Sequence, residues 1–237
     1  MPVRAITFDF WNTLFRDCHS AERWQMRAAA FGQAAGVPVD DVAEALKSVA
    51  AEFFRSHHED QRTLGPEDGV RIVCEFLGVR LDPGPARAVA DVFATAILEL
   101  GPEPIEGALD AVRAAAQVVP AGIVSDSGIS PGRSLKGLLA RHGFLEHLEV
   151  LVFSDEVGVA KPQAPMFETA AAGLGVTPDA LLHIGDLEWS DIAGARAIGA
   201  TAALFAGAND RYRDCTEADH TFTSWPEFIE ALPGLVA

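Results

Sequence analysis

The chain has 237 residues, 49% of them hydrophobic and 22% charged, a balance that supports a buried core and excludes a disordered polymer. Its 34 acidic residues outnumber 18 basic ones, for a formal net charge of −16. No basic cluster interrupts that acidity, which argues against nucleic acid as a partner.

No apolar run approaches the ~18 residues of a membrane span. Cys18, Cys74 and Cys215 stand far apart, outside any disulfide framework or metal-ligand spacing. A soluble cytoplasmic protein with no membrane partner is therefore expected, as a monomer or homodimer.

The first strand is predicted in VRAITFDF (3–10), a nearly continuous apolar run of the kind buried on both faces. About a hundred residues then pass before the next such run, far more than a loop of ~2–6 residues. In this interval Val42, Leu46, Val49 and Phe53 recur at helical spacing, as do Val70, Val73, Phe76 and Leu77, then Val89, Phe93 and Ile97. Gly36, Gly65-Pro66, Gly78 and DPGP (82–85) punctuate it into roughly four helices. Further strands are expected at 118–125, 148–154, 180–185 and 200–206, alternating with helices at 105–116, 131–142, 164–174 and 189–198. ADHTFTSW and PEFIEAL read as an edge strand and a last helix. The alternation predicts an α/β fold, a parallel Rossmann-like sheet covered by helices. The core comprises residues 1–16 and 100–237, and 17–99 form an inserted helical bundle, a cap.

Ligands of open parallel sheets bind beyond the carboxyl ends of the strands. Asp9, Ser125-Asp126, Ser154-Asp155 and Gly185-Asp186 all fall there. One such Asp is often only a helix N-cap, but four strands ending alike point to a site.

In order, DFWNTL, GIVSDSG, VAKPQAPMFETA and HIGDLEWSDIAGARAIGA resemble the four motifs of the haloacid dehalogenase superfamily. That resemblance implies a hydrolase in which Asp9 is the nucleophile and forms an aspartyl intermediate. Ser125 and Lys161 would bind and neutralise a phosphoryl group, with Asp126 beside them. Asp9, Asp186, Asp191 and the carbonyl of Trp11 would hold Mg²⁺. Most phosphatases of the superfamily carry a second Asp, the general acid, where this chain has Trp11, whose indole N–H is a donor without an acidic proton.

Three readings stay open. The first is a Mg²⁺-dependent phosphatase or phosphotransferase on a small phosphorylated metabolite. The second is a metal-independent 2-haloacid dehalogenase, whose halide leaving group needs no proton. The third is a degenerate binding or regulatory protein. Substrate specificity is expected from the cap, with Arg16, Arg23, Trp24, Arg27, Arg55, His57, His58 and Arg62 as candidates.

Overall fold

In the computed structural model, which describes residues 2–237, the chain enters on β1 (Ala5–Phe8), four buried residues with no solvent face. Ile6 and Phe8 pack into one apolar layer and Ala5 into the opposite one, the two-residue alternation of a strand covered on both sides. Phe10 follows the first layer, so that Asp9 falls on the same side as Thr7 at the carboxyl end.

The short strand β2 (Phe15–Arg16) leads into α1 (Ser20–Ala35), α2 (Val39–Arg55), α3 (Pro66–Leu77) and α4 (Pro83–Glu99). The punctuation acts as expected: Pro66 opens α3 at a position where its missing N–H costs nothing, and Gly78 closes it in the left-handed region at φ 65°. These helices enclose their own apolar cluster, centred on Phe31, Val42, Val49, Val73 and Phe93. The chain returns on β3 (Glu103–Pro104), which pairs antiparallel with β2. Both passages between insertion and core are thus held together, a pairing that two-residue strands do not announce in sequence.

The core continues as α5 (Ala108–Ala116), β4 (Ala121–Ser125), α6 (Gly132–Arg141), β5 (Val150–Phe153) and a single turn, α7 (Ser154–Val157). Then come α8 (Ala164–Gly173), β6 (Leu181–Gly185), α9 (Ala193–Ala197), β7 (Thr201–Phe205), β8 (His220–Phe222) and α10 (Trp225–Leu235). The strand order is β5-β4-β1-β6-β7-β8, all parallel. Phe8 aligns with Ile123 and Ile184, so Asp9, Ser125 and Asp186 leave three adjacent strands at nearly one level.

The helix expected over 189–198 begins differently. Residues Glu188–Ile192 form a π-helical turn before α9, with Ile192 N–H donating to Leu187 O (3.3 Å). The wide turn lets the Asp191 carboxylate fold back to accept from Leu187 N–H at 2.9 Å. No helix among the described residues is long and apolar enough to cross a membrane.

Candidate active site

Asp9 is 4% exposed at the end of β1, and its N–H donates to Ile184 O of β6 at 2.8 Å. Lys161, on the loop before α8 and 2% exposed, donates from Nζ to Asp9 Oδ1 (2.6 Å) and Asp191 Oδ1 (2.5 Å). Burial disfavours the lysine's charge, but Asp191, Asp9 and Asp126 outweigh it and raise its pKa, so Lys161 stays an ammonium.

The arrangement extends backwards through two residues that the motif reading did not single out. His183 Nε2 lies 3.1 Å from Asp191 Oδ1, and His183 Nδ1 lies 3.0 Å from Thr7 Oγ1. Burial lowers the pKa of His183, and the neutral ring has one N–H. An ionised carboxylate only accepts, so Nε2 donates to Asp191 and Nδ1 accepts from the Thr7 hydroxyl. Alternation along β1 and β6 carries Thr7 and His183 to the same face as Asp9. A lone histidine in the apolar run LLHIG was the available signal. Asn209, after β7, was also missed; its Nδ2 donates to Asp186 Oδ2 at 2.7 Å.

Carboxylate oxygens of Asp9, Asp186 and Asp191 lie within 4.8 Å of one another, and all three residues are buried. Asp186 has its pKa raised from 3.8 to about 7, by burial first and then by Asp191 and Asp9. Asp9 is raised too, by burial, with Lys161 opposing. Asp191 is lowered despite burial, because Lys161 and the His183 hydrogen bond favour its anion. Both of its oxygens already accept, Oδ1 from Lys161 and His183 and Oδ2 from Leu187 N–H. Gly185 makes this possible, since a Cβ there would fall 2.2 Å from Asp191 Cγ.

Ser125 is fully buried at the end of β4, its hydroxyl donating to Asp126 O at 3.2 Å. The Asp126 carboxylate accepts from Lys161 N–H at 2.9 Å, so it grips the lysine loop. Its pKa rises to about 6, chiefly through burial. Asp155 serves the next loop in the same way, accepting from Ser127 Oγ (2.5 Å) and Gly132 N–H (2.9 Å).

A cavity of about 200 Å³ opens between α1, Trp11 and the loop after β4, lined by Arg23, Trp24, Arg27 and Ser127 to Ser130 among others. Trp11 is half-buried, edge-on to Phe10 at 5.1 Å. Other cap candidates lie elsewhere. Arg55 is on the surface, paired with Glu52, Glu59 and Asp60. Arg16 and Arg62 are exposed, and exposed His58 packs on Trp189 at 4.8 Å. His57 is half-buried with a pKa lowered by burial and then by the Lys161 charge. The helical insertion is joined to the rest of the chain by Thr63 Oγ1 donating to Ser154 Oγ (2.6 Å) and Ser134 Oγ donating to Ala94 O (2.8 Å).

A parallel α/β sheet that converges an aspartate, a serine, a lysine and two further aspartates at its carboxyl edge defines a hydrolase of the haloacid dehalogenase type. The chain belongs to the haloacid dehalogenase-like hydrolase family, whose model matches residues 3–199. It is 27% identical over 208 residues to glyceraldehyde 3-phosphate phosphatase of Methanopyrus kandleri, covering 83% of this chain and 81% of that protein. It is also 27% identical over 172 residues to (S)-2-haloacid dehalogenase 2 of a Pseudomonas species, covering 72% and 69%. Its match to mouse haloacid dehalogenase-like hydrolase domain-containing protein 3 spans 43% of that relative. Among solved structures, a haloacid dehalogenase-type phosphatase from Thermococcus onnurineus superposes with a TM-score of 0.69 at 18% identity, over 99% of this chain and all of that one.

Proposed function

We propose that the protein is a Mg²⁺-dependent phosphohydrolase or phosphotransferase acting on a small phosphorylated metabolite through an aspartyl intermediate on Asp9. The observation that supports this reading is the excess of buried negative charge. Asp9, Asp186 and Asp191 crowd within 4.8 Å, Asp126 adjoins them, and Lys161 is the ammonium that faces them. Such an all-oxygen, over-acidic donor set suits a hard divalent cation. Asp9, Asp186 and the Trp11 carbonyl would hold Mg²⁺, with Asp191 supporting its shell from behind; the ion would supply the positive charge that a phosphoryl group's oxygens require.

The chain's own residues account for the rest. Lys161 holds Asp9 Oδ1 at 2.6 Å, which fixes the rotamer of the carboxylate and leaves Oδ2 to attack phosphorus. A bond forms from Asp9 oxygen to phosphorus while the ester oxygen departs with its electron pair. Ser125 would donate its hydroxyl to a phosphoryl oxygen. Asp191, anchored by His183 and Leu187 N–H, keeps Lys161 charged and aimed. Water then cleaves the aspartyl phosphate, regenerating Asp9. Trp11 brings no proton to the departing oxygen, so leaving groups that are stable as anions, such as acyl or aryl oxygens, should turn over fastest.

The same Trp11 favours a second reading, a 2-haloacid dehalogenase, because halide departs unprotonated. The retained Asp186 weighs against it, since that chemistry has no use for a buried carboxylate that only a cation would compensate. The three cysteines are free thiols, which fits the cytoplasm proposed for it. Turnover of aryl phosphates, acyl phosphates and 2-haloacids, each with Mg²⁺ and with EDTA, tests both readings. Phosphate release that needs Mg²⁺ and is abolished in Asp9→Asn is expected; halide release indifferent to EDTA would replace the proposal by the dehalogenase.

A further inference from the structure

The positive charge most conspicuously lacking a partner lies in the cap, in the cavity beside the nucleophile loop. Arg27 on α1 is 2% exposed. Its Nε donates to Phe93 O of α4 at 3.1 Å and its Nη2 to Ser130 Oγ at 3.3 Å, both neutral acceptors. No carboxylate among the described residues forms an ion pair with it. Neighbouring Arg23 differs: it is 3% exposed, but its guanidinium is paired with Asp17 and also donates to Leu100 O at 2.8 Å. Buried guanidinium groups ordinarily come with an anion, because desolvating an unpaired charge is expensive. Burial, with the nearby Arg23, lowers the pKa of Arg27 to about 10, so it remains a cation at neutral pH.

The surroundings define what kind of anion Arg27 would accept. Arg27 lines the cavity of about 200 Å³ that Trp11 and Ser127 also line. These two residues follow Asp9 and Ser125 by two positions each, so the cavity adjoins the reacting centre. The Trp24 ring lies 4.9 Å from the guanidinium carbon, which helps hold the fork in place. The volume admits a fragment of a few heavy atoms. The charge of Arg23 is already matched by Asp17, leaving Arg27 as one uncompensated cation with an acid on the rim. A monoanion meets that balance, whereas a second phosphate, at close to two negative charges, would exceed it and be repelled by Asp17.

We propose that Arg27 is the specificity-determining residue of this enzyme and binds a carboxylate on the substrate, which is thus a small phosphate ester that also bears a carboxyl group. This rests on the phosphohydrolase reading. It also gives Trp11 a function: where an acid would stand, the indole walls the cavity that receives the carboxylate.

The test uses non-hydrolysable ligands, with Mg²⁺ present, in isothermal calorimetry. 3-Phosphonopropionate and propylphosphonate differ by a carboxylate against a methyl group, and ethylene bisphosphonate presents a second phosphonate instead. Wild-type protein should bind phosphonopropionate about 10- to 100-fold more tightly than propylphosphonate, the range of a charged hydrogen-bonded contact, and more tightly than the bisphosphonate. In Arg27→Gln the preference should fall to within about twofold while propylphosphonate affinity is kept. Arg27→Lys, which retains the charge without the fork, should keep part of it. The wild-type comparison does not depend on either variant folding. Equal binding of phosphonopropionate and propylphosphonate, or a preference for the bisphosphonate, overturns the assignment and leaves the phosphohydrolase reading standing. If none of the phosphonates binds, that reading fails first and the carboxylate site with it.

Discussion

Replacing Asp186 by Asn should stabilise the metal-free protein and at the same time remove its response to Mg²⁺. Asp186 is 2% exposed and its pKa is raised from 3.8 to about 7, by burial and then by Asp191 and Asp9. The folded protein therefore binds a proton more readily at this residue than the unfolded chain does. The associated cost is absent below pH 3.8, grows as pH rises, and is complete above about 7. At ~1.36 kcal/mol per tenfold change in proton affinity, the rise from 3.8 to about 7 sets it at about 4 kcal/mol at most. Asparagine keeps an oxygen for the Asn209 amide, 2.7 Å away, and carries no charge. In EDTA at pH 8, urea unfolding should show Asp186→Asn more stable than wild type by about 1–4 kcal/mol, with the gap closing towards pH 4. Mg²⁺ at a hundred times its Kd should stabilise wild type by about 2.7 kcal/mol and the variant by little. A variant that is less stable than wild type in EDTA, or that keeps the full Mg²⁺ shift, would refute both the charge-excess argument and the place of the metal.

Trp11→Asp places a carboxylic acid two residues after Asp9, the proposed nucleophile, and should raise alkyl-phosphate turnover relative to aryl phosphates, by at most the ~10²–10⁴ that a well-placed acid contributes. Urea unfolding of the same sample separates a lost aromatic wall from a gained acid. Asp191→Asn breaks a buried pair, leaving Lys161 with Asp9 alone, and should cost up to about 3–5 kcal/mol in urea unfolding. Because the pKa of Asp191 is depressed in the fold, its contribution is present above the unfolded value and lost as pH falls. The difference between wild type and variant should therefore narrow below about pH 4.

Much of this architecture was legible because it rests on short-range physics. Buried parallel strands are continuous apolar runs, so β1, β4, β5, β6 and β7 fell inside their expected segments, and Gly36, Gly65-Pro66 and Gly78 marked the helix ends of the insertion. The strand-end rule located Asp9, Ser125, Asp126 and Asp186. Contacts between elements far apart in sequence were not legible. Thr7 and His183 are polar residues inside strands, and only pairing β1 with β6 reveals that they back Asp191. Asn209 lies in an irregular segment with no pattern. The pairing of β2 with β3 joins residues some ninety positions apart through two-residue strands. Arg23 and Arg27 stood among many cap cations, and their burial depends on how α1 packs against α4 and the loop after β4.

The acid cluster also bears on whether the protein has ceased to be an enzyme. A binding shell that had lost its chemistry with the second aspartate would have no need of Asp186, since asparagine would still satisfy Asn209 and spare the chain a buried, mutually repelling carboxylate. Asp191 admits no such economy, because its charge compensates that of Lys161, and the lysine would otherwise lie buried against Asp9 alone. The two acids therefore differ in kind: Asp191 is needed by the fold as it stands, whereas Asp186 costs stability unless a cation is bound. A destabilising carboxylate aimed at the same point as Asp9, the proposed nucleophile, favours the proposed enzyme with an altered leaving-group requirement as the account of Trp11.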